Sequence, residues 1–197
     1  MTGPGEPHSR RSFSPGVTVL VGFVLLVGNP WVNMELAVAL SGSDPAFRVV
    51  NVVLAYPSWH VDVDRAGPFL FWFANLRTLL FVLLAVAGLS RVSRWVSEAA
   101  GGAGLFVATV GLTALSAVVA GLAAGAASGV AVGALLDPGA SLPYLIPGQS
   151  EEFFLSRLSS SAVFGVLFGS VLGAVVVLQR RRPANRESRA DAPKSLW

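Results

Sequence analysis

The sequence predicts an all-α membrane protein: a bundle of four transmembrane helices, both termini in the cytoplasm, with two outer loops. Three observations carry this. Apolar residues make up 53% of the 197-residue chain and charged residues 13%, where a soluble domain carries about 25% charged residues. The charges avoid long blocks of sequence and gather between them, as membrane spans require. Lys and Arg are also unevenly shared between the two sides that those blocks define.

Residues 1–15 form a polar tail with Pro4, Pro7 and Pro15, expected to be a disordered cytoplasmic segment. The membrane domain covers 16–179. Its first span is about 17–40, roughly 36 Å if helical. Gly28-Asn29-Pro30 interrupts it, because Pro30 removes a helical hydrogen bond and disfavours α geometry at Asn29. A kink or break near residue 29 is expected. Residues 41–68 are the first outer segment. Within it, 47–56 is apolar but too short to span, and reads as an interfacial helix or a strand-like stretch. The second span is about 69–89.

The third span, about 104–136, would be roughly 48 Å long. That exceeds a hydrocarbon core of about 30 Å, so it must tilt, protrude or break. A second outer loop follows with Pro138, Pro143, Pro147 and the acidic pair Glu151 and Glu152. The fourth span, about 159–178, stops at Arg180-Arg181-Arg182. Residues 180–197 are basic and expected to be a disordered cytoplasmic tail. With the N-terminus inside, ten Lys and Arg lie on the inner side, from Arg10 to Lys194. Arg48, Arg65 and Arg157 lie outside, and Arg77 lies within a span. This is a positive-inside distribution, and it points to a multi-pass protein of the cell membrane.

The same charges explain the net +3. They sit at helix ends, where they set orientation, and give no reason to expect nucleic acid. Thirteen of the fourteen basic residues are Arg, and Gly, Ala and Val abound, a composition typical of a GC-rich bacterial genome. The absence of cysteine excludes disulfides, thiolate metal sites and cysteine nucleophiles. No GxSxG, HExxH or P-loop pattern is present, and no cofactor is implied.

Three groups of residues stand out. Gly121, Gly125, Gly129 and Gly133 recur every four residues in the third span, as do Gly165, Gly169 and Gly173 in the fourth. Such rows lie on one helix face and let two backbones approach closely. The two rows are expected to pack against each other within one chain, or to face another subunit or a pore. The second group is polar residues at depth. Glu35 and Arg77 lie roughly 7 Å and 12 Å below the outer ends of their spans, where an unpaired charge is costly. They are expected to pair, with Asn29, Asn33 and Asn75 nearby, as a structural contact or as a substrate, ion or proton site beside a broken helix. The third is His60-Val61-Asp62-Val63-Asp64. In a strand, His60, Asp62 and Asp64 would share a face and could ligate a divalent metal. The alternative is a solvated loop.

The expected function is non-enzymatic: an accessory or assembly partner acting through glycine-lined helices and outer loops. Its contacts would be the bilayer and another membrane protein or a second copy of itself. The rival reading is a small transporter or channel with a polar site near the kinked first helix. Polar residues cluster in the outer half of the first two spans, and the other two spans carry no charge, which favours the partner reading over a continuous pathway.

Overall fold

The computed structural model describes residues 15–39, 45–95, 101–135 and 149–190. Among them every regular element is helical: α1 (Pro15–Val27), α2 (Pro30–Ala39), α3 (Pro45–Ala55), the single turn α4 (Val63–Ala66), α5 (Pro68–Trp95), α6 (Gly102–Leu135) and α7 (Gln149–Ala190). Four of these helices open on a proline. At the first helical position the missing N–H has no intrahelical acceptor to lose, and the fixed φ already suits the helix. Two of the starts are reinforced. Asn29 Oδ1 accepts the Trp31 amide at 3.0 Å. Gly67 turns the chain into Pro68 with φ of 79°, a left-handed geometry that glycine adopts without a Cβ clash.

Three helices are long and apolar enough to cross a membrane: Pro68–Val92, Gly102–Ser128 and Leu155–Gln179. The apolar helices mark the chain as membrane-embedded. The expected first span is not one helix. α1 has 13 residues, roughly 20 Å, short of the hydrocarbon thickness of about 30 Å. α2 leaves it with a bend of 76° across Gly28-Asn29. The count of spans is thus three, or four if the bent pair is one crossing.

α6 packs between α5 and α7, and α1 lies against α5 and α7. α3 rests on α7 and α2, and α4 on α5. The middle of the bundle is aromatic. Tyr56 stacks on Phe164 with ring centroids 4.0 Å apart, and Phe23 on Phe168 at 4.4 Å. Phe81 meets Phe164 edge-on at 5.3 Å. In lipid the surroundings are as apolar as the core, so these contacts stabilise through close packing and not through exclusion of water. Aromatic pairs of this kind contribute about 0.5–1.5 kcal/mol each.

The apolar stretch after residue 45 takes the helical alternative, as α3. α6 is continuous over 34 residues, without the break that is one of the three alternatives for its length. One segment differs from the sequence expectation. α7 begins at Gln149, before the expected start at 159, and runs past Arg180 to Ala190, into what the sequence reads as a disordered tail. Residues 1–14 of the expected disordered segment, residues 136–148, which include the first half of the second outer loop, and residues 191–197 lie outside the described residues.

Candidate functional site

α3 ends inside the bundle. Its last turn leaves carbonyls without intrahelical donors, and the next residues, Tyr56 and Pro57, are buried. From Tyr56 the chain runs without regular structure back along α5. Ser58 pairs with Thr78 and His60 with Asn75, so the segment climbs towards the Pro68 end of α5. Tyr56 bonds to Arg77 and packs on Phe81, nine and thirteen residues from Pro68. That is roughly 14–20 Å along the helix, about the middle of a hydrocarbon core. Non-helical backbone at such depth is tolerated only where protein satisfies its polar groups.

The polar side chains do that. Arg77, 2% exposed, donates to the Tyr56 carbonyl at 2.7 Å and more weakly to that of Ala55 at 3.4 Å. Its guanidinium carbon lies 4.5 Å from the Tyr56 ring centroid and 5.2 Å from that of Phe73. A cation at a helix C-terminus also opposes the negative end of the helix dipole. Asn33 Nδ2 bridges two helix ends, donating to Leu54 O of α3 at 2.6 Å and to Val27 O of α1 at 3.2 Å. Asn75 brackets His60, accepting from its amide at 3.0 Å and donating to its carbonyl at 2.9 Å. Thr78 Oγ1 does the same for Ser58, at 3.3 and 3.2 Å. The Tyr56 hydroxyl donates to Ala117 O of α6 at 2.7 Å.

Asn29, Asn33, Asn75 and Arg77 are thus gathered around the break, as partners of backbone. Glu35 is not among them. It is exposed on α2, which the 76° bend carries off the axis of α1. The expected Glu35–Arg77 ion pair does not form, because the guanidinium points at the end of α3. Arg77 Nε is buried without a hydrogen-bond partner, and Arg157 of α7 is near enough to act on Arg77 electrostatically.

The bend opens a cleft of about 650 Å³ between α2, residues 58–62 and the start of α5. Gly28 permits it. Its carbonyl accepts the Trp59 amide at 3.1 Å, and a Cβ there would lie 2.8 Å from the Trp59 indole. Trp31, Met34, Trp59, His60, Asp62 and Leu70 are among the lining residues.

His60, Asp62 and Asp64 do not lie on a strand. Asp62 Oδ1 accepts the Asp64 amide at 3.0 Å and so opens the turn α4, which ends the alternation that a shared face needs. Among the described residues no group of three His, Asp or Glu is placed to hold a metal. The side chains of Glu151 and Glu152 lie outside the described set.

The glycine rows do not face each other. α6 and α7 are antiparallel, and a Cβ at Gly165 would lie 2.5 Å from Ala114 Cα. At Gly169 it would lie 3.0 Å from Val110 Cα, and at Gly173 2.9 Å from the Phe106 ring. The α7 row therefore packs on Phe106, Val110 and Ala114 of α6. Gly121 faces Ser161, and Gly125 is buried one turn further on. The surroundings of Gly129 and Gly133 lie outside the described set. Sequence reasoning does not single out Tyr56, Ser58 or Thr78. The signal available for Tyr56 is the Tyr-Pro step closing an apolar run. No family model matches the chain, and neither does any curated protein or solved structure.

Proposed function

We propose that this chain is a non-enzymatic accessory or assembly subunit of the cell membrane. In this reading α1 and α2 form one broken crossing, so the chain passes four times with both termini in the cytoplasm, as its Lys and Arg asymmetry favours. One observation carries the functional reading. The polar residues at depth are engaged with backbone: Arg77 with Tyr56 O, Asn33 with Leu54 O and Val27 O, Asn75 with His60. Groups held in this way do not make a proton or ion path, which needs a continuous polar line through the bilayer. The contact face in this reading is the outer face of α2 and α3. Trp31, Met34, Val38 and Val49 are exposed there, beside the expected outer loops. The glycines of α7 are already covered by α6, so the occupant of the α2 face is another membrane protein or the α2 face of a second copy.

Photo-crosslinkers at Trp31, Met34 and Val38 test this in intact membranes. The expected result is a discrete protein adduct from α2 that a crosslinker at Leu83 on α5 does not give. Adducts to lipid alone at all three positions would overturn it. The rival reading, a small transporter, draws on the cleft at the broken helix, a place where transporters bind substrate. Solute flux through purified protein in liposomes would favour it.

A further inference from the structure

We propose that Arg77 holds a chloride ion inside the bundle. The inference concerns a bound ion alone and holds for a subunit or a transporter. Three observations lead to it: how the guanidinium is used, what charge surrounds it, and how enclosed it is.

The guanidinium is only partly used. A guanidinium carries five N–H donors on three nitrogens. Both hydrogen bonds of Arg77, to Tyr56 O and Ala55 O, leave from Nη2. Nε is buried without a hydrogen-bond partner, and among the described residues none accepts from Nη1. A buried donor left unsatisfied is costly. Here it belongs to a cation that is 2% exposed, and a charge at membrane depth is tolerated only where something answers it.

What answers it is incomplete. The C-terminus of α3 presents roughly half a negative charge, spread over its last carbonyls. The faces of Tyr56 and Phe73 add a weaker attraction, as aromatic rings do for cations. Against these stands Arg157, half-buried on α7 and near enough to act on Arg77 electrostatically. Among the described residues no carboxylate acts on Arg77 in the same way, and Glu35 is exposed on α2. A water molecule can accept from Nε but brings no charge. An anion supplies both the acceptor and the charge. The enclosure of Arg77 then selects its size. A lipid phosphate or an organic carboxylate has no way to a side chain that is 2% exposed, whereas a monatomic ion needs the least room. Chloride is the common ion of that kind.

The test uses the full chain in dodecyl maltoside and measures bound radioactive chloride by equilibrium dialysis. Gluconate keeps the ionic strength constant as chloride varies. Saturable binding of a single chloride per chain is expected, displaced by bromide and not by gluconate. Arg77→Lys keeps the charge, but one compact ammonium cannot hold Tyr56 O and also reach where Nε and Nη1 point. It should weaken binding by about tenfold or more, and Arg77→Met should abolish it. Arg91→Gln removes an exposed cation and should bind like the parent. Thermal unfolding gives a second reading, because an ion held only by the folded state stabilises it. Chloride in place of gluconate should raise the unfolding temperature of the parent and leave that of Arg77→Lys unchanged. If Arg77→Met does not fold, Arg77→Lys decides. A parent that binds no chloride saturably overturns the proposal, and so does an Arg77→Lys chain that binds it as tightly as the parent. Loss of binding in Arg91→Gln would place the ion on the surface and overturn it as well.

Discussion

Arg77 donates to the carbonyl of Tyr56 at 2.7 Å and lies over the ring of the same residue, 4.5 Å from its centroid. Backbone and side chain of one residue thus hold the guanidinium from two directions. Tyr56 in turn reaches across the bundle to Ala117 O, so α3, α5 and α6 meet at a single tyrosine. An unpaired carbonyl at this depth has no water to turn to. Arg77→Met should remove the hydrogen bonds to Tyr56 O and Ala55 O and lower stability by about 1–3 kcal/mol. Arg77→Lys, with one compact ammonium in place of the planar fork, should recover only part of that. Thermal unfolding in detergent reads the order, and a Met variant as stable as the parent would exclude the capping role.

Asn33 gives a cleaner test of donation, because Asn33→Asp keeps the shape and removes the N–H groups. Leu54 O and Val27 O would then face an acceptor instead of a donor. The variant should lose about as much as Arg77→Met, since two half-buried hydrogen bonds become repulsions. If Asn33→Asp melts within about 0.5 kcal/mol of the parent, near the scatter of neutral surface changes, the bridge between α1 and α3 is not needed.

The glycines of α7 should differ by what each one touches. A methyl at Gly165 meets the backbone of Ala114 at 2.5 Å, and backbone cannot step aside, so α6 and α7 must part. At Gly173 the nearest atoms belong to the Phe106 ring, which can turn. Gly111 has nothing within 4 Å. Gly165→Ala should therefore destabilise by about 1–3 kcal/mol and Gly173→Ala by less. Gly111→Ala should be neutral or stabilising by up to about 1 kcal/mol through helix propensity. Thermal unfolding checks the ranking, and equal effects at Gly165 and Gly111 would dismiss the close approach.

The chain has no cysteine, so single cysteines can map the segment that returns along α5. Asp64 is exposed and Val61 is 79% exposed, whereas Pro57 is buried. Cysteine at Asp64 or Val61 should react with a membrane-impermeant maleimide added to intact cells, and cysteine at Pro57 only after denaturation. Equal labelling rates at 57 and 64 would mean that the segment lies outside the bundle.

Apolar length is a local property, so α5, α6 and α7 could be read from the chain, and Gly28-Asn29-Pro30 announced the break. The cost of Arg77, Asn33 and Asn75 at depth was equally visible. Their partners were not, because the partners are carbonyls whose exposure depends on where α3 stops. A carboxylate such as Glu35 is the partner that a sequence offers, and only the 76° bend removes it. The glycine rows show the same limit. Their period belongs to one helix, but the meeting of Gly165 with Ala114 depends on how two antiparallel helices are offset. That offset is a tertiary quantity with no local signature.

The central claim is that Arg77 serves the backbone end of α3 and not a carboxylate. The most direct measurement is a double-mutant cycle on unfolding free energy with Glu35→Gln, Arg77→Met and both together. The account predicts that Glu35→Gln changes stability by less than about 0.5 kcal/mol, and that the double variant equals the sum of the singles within about 0.5 kcal/mol. A coupling energy above about 1 kcal/mol, with the double variant more stable than that sum, would restore the ion pair and contradict the account.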